Sequence, residues 1–144
     1  MSMYQISLNI LVVEDDRFME ALVRHMTKNI SNKIMMDWDT TVDAALKRCK
    51  AIEKKLDSTA NFYDLVLIDI YTPGEATGID LYKYIQENLS FMPCVMMSSM
   101  SVAEYCREID QLSLSRPPFL AKPFYLQDLR QVIDNILLPK SFAA

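Results

Sequence analysis

Histidine is nearly absent from this chain of 144 residues: His25 is the only one. A metal centre built on several imidazoles is thereby excluded, as is a pair of histidines on one helix face. Cysteine is sparse too. Cys49, Cys94 and Cys106 lie far apart with no CxxC pair, which argues for free thiols and against a disulfide framework or a redox or metal role. No basic excess exists: 15 Lys and Arg face 19 Asp and Glu, for a formal net charge of −4, so direct nucleic-acid binding has no electrostatic footprint. Apolar runs stay short of the length of a membrane span. The opening stretch MSMYQISLNILVVEDD has no cationic flank and ends its apolar run in acids, so it reads as a first strand and not as a signal peptide. The expected location is cytoplasmic.

What remains is a chain with half its residues apolar, enough for one core in a single domain spanning 1–144, with its body at about 8–138. Short apolar runs alternate with helical periods. Leu8–Val13 is a strand; Phe18, Met19, Leu22, Val23 and Met26 then recur at helical spacing, with Asp16 placed to cap. Lys33–Trp38 is a second strand, and Thr40 to Asp43 resembles a capping box before a second helix. The polar stretch Lys54–Phe62 closes that helix. DLVLID is a third strand, followed by a loop, YTPGEATG, that holds both glycines, Gly74 and Gly78. A third helix runs through Ile79, Leu81, Tyr82, Ile85 and Leu89. Pro93–Ser98 is a fourth strand, and Ser101 to Glu104 caps a fourth helix. Pro117–Ala121 is a short fifth strand whose two prolines confine it to an edge. A last helix passes through Leu126, Leu129, Val132, Ile133, Ile136 and Leu137 and stops at Pro139.

Five strands alternating with five helices predict an α/β fold, a doubly wound parallel sheet of flavodoxin-like (βα)5 type with strand order 2-1-3-4-5. That order makes strands one and three neighbours and puts the ligand crevice beyond their carboxyl ends, where the order reverses. Strand one ends in EDD, Glu14 to Asp16, and strand three ends on Asp69. Acids from distant stretches thus meet at one corner, where mutual repulsion is relieved by a hard divalent cation such as Mg²⁺, which takes one or two carboxylates and phosphate oxygens. Strand four delivers the hydroxyl of Ser98, and strand five is followed by Lys122, a compact cation suited to a phosphate oxygen. Lys122-Pro123 is a candidate cis peptide.

The ordered set LVVEDD, LVLIDIYTP, PCVMMSS and FLAKPF, each at the predicted carboxyl end of a different strand, resembles the receiver domain of two-component response regulators, of the single-domain chemotaxis-regulator type. The resemblance covers about Leu8 to Leu138. It implies that Asp69 accepts a phosphoryl group from a phosphohistidine on a partner, with Mg²⁺ as cofactor. It further implies that Asp15 ligates the metal directly, Glu14 acts through water, and Tyr71 offers its backbone carbonyl. Lys122 and Ser98 contact the phosphoryl oxygens, and Phe119 is the aromatic that changes rotamer with phosphorylation. The implied partners are a sensor histidine kinase or phosphotransfer protein, a downstream target or effector domain, and a second copy through the face of helix four, strand five and helix five. The chain is then a signalling switch and not an enzyme beyond its own phosphorylation and dephosphorylation.

Some features depart from the pattern. The loop YTPGEATGID is one residue longer than usual, the second helix region Thr41–Phe62 is long, and DQLSLSRPPF lacks the glycine expected before strand five. Bulky Tyr71 and Met100 flank the site and are expected to hinder hydrolytic water and prolong the phosphoryl-aspartate. Plainer readings stand beside these: Asp16 as a helix cap, His25 as a surface residue, methionines as core filler, Phe119 as simple core. A competing class is a phosphohydrolase of haloacid-dehalogenase type. LIDIYTP is similar to that family's DxDxT start, with Tyr71 in place of its second acid. A flavin-binding protein of flavodoxin type would need a phosphate cradle where EDDR stands. A degenerate receiver that takes no phosphate is opposed by the complete residue set.

Overall fold

A computed structural model of the chain describes residues 7–56 and 62–137. The ends of the expected 1–144 domain, the Pro139 stop and the middle of the Lys54–Phe62 stretch lie outside the described residues. The elements run β1 (Leu8–Val13), α1 (Arg17–Ile30), β2 (Ile34–Asp39), α2 (Val42–Lys54), β3 (Leu65–Asp69), α3 (Gly78–Asn88), β4 (Cys94–Ser98), α4 (Val102–Asp110), β5 (Phe119–Ala121) and α5 (Leu126–Leu137). The five strands pair in parallel in the order β2-β1-β3-β4-β5, as the alternation of strands and helices predicts. The fold is of the flavodoxin-like (βα)5 type.

Alternation along each strand sorts the apolar side chains onto two faces. Leu11, Val13, Val66, Ile68 and Met96 face α2, α3 and α4, where they meet Ala45, Cys49, Leu81, Ile85, Tyr105 and Ile109. Ile10, Val12, Leu67, Val95 and Met97 face α1 and α5, against Val23, Met26, Ile30, Leu129 and Ile133. Leu67 and Ile68 sit side by side in β3, one in each layer, and neither keeps any exposure. Each such side chain stabilises the fold by roughly 1.5–3 kcal/mol. This double burial explains why β3 reads as a continuous greasy run. Cys49 and Cys94 are buried free thiols, pushed up to about 11 and about 12 chiefly by burial.

Several boundaries differ from the sequence reading. β2 begins and ends one residue later than Lys33–Trp38, and the N-cap of α2 is Thr41, not Thr40. The Thr41 hydroxyl accepts from the Ala44 N–H at 3.1 Å, while Asp43 lies where a side chain on Gly74 would strike it. The prolines precede β5 instead of opening it, since a ring nitrogen has no hydrogen to donate. The Pro118 carbonyl still accepts from Met96 at 2.9 Å and extends the edge by one bond. Where a glycine is missing before β5, Ser113 takes the left-handed turn itself, at φ 55°.

Candidate functional site

The carboxyl ends of β1, β3, β4 and β5 converge on one corner. Glu14 follows β1 directly, Asp69 ends β3, Ser98 ends β4, and Lys122 follows β5. Backbone bonds hold these ends in register: Glu14 N–H donates to the Asp39 carbonyl at 3.0 Å, Ile70 to Met97 at 3.1 Å, and Lys122 to Ser98 at 2.9 Å. Asp16 caps α1 through its carboxylate, which accepts from the Phe18 N–H at 2.8 Å.

Glu14, Asp15 and Asp69 each present a carboxylate oxygen within 4.8 Å of the others. Glu14 is 1% exposed and Asp69 6%, whereas Asp15 is open to solvent. The Lys122 ammonium reaches both buried acids, at 3.1 Å from Asp69 Oδ2 and in a short contact with Glu14 Oε1. The other oxygen of Glu14 accepts from the Asp16 N–H at 3.2 Å. Burial raises Glu14 to about 6, with the nearby Asp69 charge adding to the rise and the Lys122 hydrogen bond opposing it. Burial pulls Lys122 down, but its two carboxylates more than offset this and hold it above its ordinary value.

This donor set fits a hard divalent cation. Oxygen ligands converge, one carboxylate is solvent-accessible, and among the described residues three acids share the corner with a single ammonium. Glu14, Asp15 and Asp69 could each offer the cation an oxygen. Both oxygens of Glu14 and both of Asp69 already have protein partners, whereas the Asp15 carboxylate has none among the described residues.

Ser98 is 4% exposed, and its oxygen accepts from the Met100 N–H at 3.2 Å; Ser99 beside it is exposed. Tyr71 donates its N–H to Asp69 Oδ1 at 3.3 Å, and its half-exposed ring reaches α4, where the hydroxyl donates to Glu108 at 3.1 Å. Phe119 is half-buried and stacks on Tyr105, with centroids 4.4 Å apart and planes at 15°. Lys122-Pro123 is cis. His25 lies exposed on α1.

Three contributors went unread in the sequence. Gly78 lets the start of α3 approach the Asp69 carbonyl, Glu108 receives Tyr71, and Trp38 donates its indole N–H to the Glu14 carbonyl at 2.7 Å. Only Gly78 carried a local signal, a lone glycine ahead of a helical period. The other two depend on partners 24 and 37 residues away.

Comparison with known proteins bears on this corner. The family model for the response regulator receiver domain matches residues 10–134. A protein-glutamate methylesterase/protein-glutamine glutaminase of Trichodesmium erythraeum (strain IMS101) is 26% identical over 134 residues, which cover 91% of this chain and 35% of that protein. The chain therefore spans about a third of that relative's length. The non-phosphorylated HemR receiver domain of Leptospira biflexa is similar in structure, with 24% identity, a TM-score of 0.68, and coverage of 92% of this chain and 97% of that one. The response regulator TrrA of Thermotoga maritima, in complex with Mg²⁺ and BeF, has 20% identity and a TM-score of 0.70 over 90% of this chain and 99% of that one. At these identities the structural likeness speaks to the fold.

Proposed function

Because the chain belongs to the response regulator receiver domain family, we propose that Asp69 is its phosphoacceptor and that a phosphohistidine on a partner protein is the donor. The observation that carries this reading is the convergence of Glu14, Asp15 and Asp69 within 4.8 Å, with the Lys122 ammonium against two of them. Phosphoryl transfer needs in-line positioning and charge stabilisation more than covalent help. The Asp69 carboxylate attacks phosphorus, and the bond to the donor's imidazole nitrogen breaks as the new P–O bond forms. Lys122 follows the charge onto the phosphoryl oxygens. Asp15, Asp69 and the Tyr71 carbonyl would hold Mg²⁺, with Glu14 acting through water, and the ion would supply positive charge for the transfer. Ser98 then donates its hydroxyl to the phosphoryl group, and Phe119 takes up the space behind it.

In this reading the chain is a signalling domain that catalyses only its own phosphorylation and dephosphorylation. It works in the cytoplasm; among the described residues no helix is long and apolar enough to cross a membrane. The donor is a sensor histidine kinase or phosphotransfer protein, and the output is a changed contact with a downstream protein, an effector domain or a second copy, through α4, β5 and α5. Incubation with acetyl phosphate tests the reading. Mass spectrometry should find one phosphoryl group on Asp69, dependent on Mg²⁺ and absent from Asp69→Asn. Label located elsewhere, or unaffected by chelation, would refute it.

A further inference from the structure

Trp38 is the chain's only tryptophan and lies outside the set of acids and lysine, yet it holds the turn that carries them. The parallel register sets Val12 opposite Trp38 and Val13 opposite Asp39, so the end of β2 runs alongside Glu14. Both backbone groups of Glu14 are held there: its N–H donates to Asp39 O at 3.0 Å, and its carbonyl accepts from Trp38 Nε1 at 2.7 Å. The Glu14 carbonyl and the Asp15 N–H belong to one planar peptide. An indole that fixes the carbonyl therefore fixes the plane, and with it the direction in which Asp15 leaves the turn.

Asp15 needs such a constraint. It is the exposed member of the three acids, and among the described residues its carboxylate has no hydrogen-bond partner. The indole is itself pinned. The Arg24 guanidinium lies 5.9 Å from the ring centroid, and Glu20 holds Arg24 at 2.9 Å. We infer that Trp38 is a positioning residue for the divalent cation: its N–H orients the Glu14–Asp15 peptide so that the Asp15 carboxylate is pre-aimed at the ion. The inference rests on the reading of Glu14, Asp15 and Asp69 as a cation site.

A single tryptophan makes replacement in a tryptophan auxotroph specific to this position. The isostere β-(3-benzothienyl)alanine puts sulfur where the N–H was and keeps the shape of the ring. Mn²⁺ affinity, read by water-proton relaxation on the full chain, should fall about tenfold in that protein and in Trp38→Phe, the scale seen when groups supporting a metal ligand are lost. The protein carrying 5-fluorotryptophan, which keeps the N–H, should bind like the parent. Equal Mn²⁺ affinity in the parent and the sulfur isostere would overturn the positioning role while leaving the cation site intact. A parent protein that binds no Mn²⁺, or binds it unchanged in Asp15→Asn, would overturn the cation site and the inference with it.

Discussion

Gly78 has no side chain, and the end of β3 depends on that. A Cβ there would lie 2.4 Å from the Asp69 carbonyl oxygen and 2.8 Å from Ile70 Cα, main-chain atoms that cannot step aside cheaply. The need is for space, not for a left-handed backbone; among the described glycines only Gly74 has a positive φ, 119°. Gly78→Ala should cost about 1–3 kcal/mol in urea denaturation. It should also slow labelling by acetyl phosphate, because the clash bears on Asp69 itself. A variant with unchanged stability and labelling would mean that the turn relaxes freely. Tyr71 works from the other side of the same residue. Its backbone N–H reaches Asp69 and its hydroxyl reaches Glu108, so the residue is tied to the carboxylate at one end and to α4 at the other. If its ring hinders water, Tyr71→Asn should shorten the life of the phosphoryl label about three- to tenfold, a barrier change of roughly 1 kcal/mol. An equal decay rate in both proteins would remove Tyr71 from the account.

Between elements, the end of β2 is anchored to α2 by an ionic cluster. Arg48 grips Asp39 with two bonds, at 2.9 and 2.8 Å, and Tyr63 donates its hydroxyl to Asp37 at 2.5 Å. Burial, then the Asp37 hydrogen bond, push Tyr63 up to about 12. A folded-state value above the usual 10 means that Tyr63 stabilises the fold fully below pH 10, and that this is lost as pH rises towards 12. The difference between parent and Tyr63→Phe in alkaline denaturation should therefore shrink by up to about 2–3 kcal/mol across that interval. A constant difference would show that Tyr63 titrates as it does in the unfolded chain. Elements were legible where a local rule decided them. Asp16 and Ser101 cap the helices they precede in sequence. Thr40 failed by one position because β2 runs on to Asp39, which a propensity pattern does not show. The reciprocal box of Thr77 and Asp80 was hidden in a stretch read as loop, since nothing apolar marks the first turn of α3 until Ile79.

For the whole molecule, the strand order and the corner were readable because both follow from a few strong constraints. Double burial marks β3, prolines keep β5 at an edge, and right-handed crossovers leave few arrangements. The contacts across elements were not readable, since Trp38 on Glu14 or Tyr105 on Phe119 exists only once the register is set. If Asp69 is the phosphoacceptor proposed above, the second of these contacts shapes what phosphorylation does at a distance. Phe119 lies against Tyr105, which is 2% exposed and donates its hydroxyl to the Pro117 carbonyl at 2.6 Å. If Phe119 turns inward as proposed, the stacked Tyr105 has to give way, and α4, which carries Tyr105, should shift with it. Signalling through Ser98 should therefore move α4 and β5 as one body. Hydrogen exchange with and without Mg²⁺ and beryllofluoride, a stand-in for the phosphoryl group, should show changes across 102–121 in the parent and none in Asp69→Asn. In Tyr105→Leu, which keeps an apolar side chain in the core but removes the stacked ring, changes should persist around Ser98 and β5 and fade in α4. If α4 responds equally in Tyr105→Leu, the stack does not carry the coupling, and the link must run through the Tyr71–Glu108 hydrogen bond or the β4–α4 turn instead.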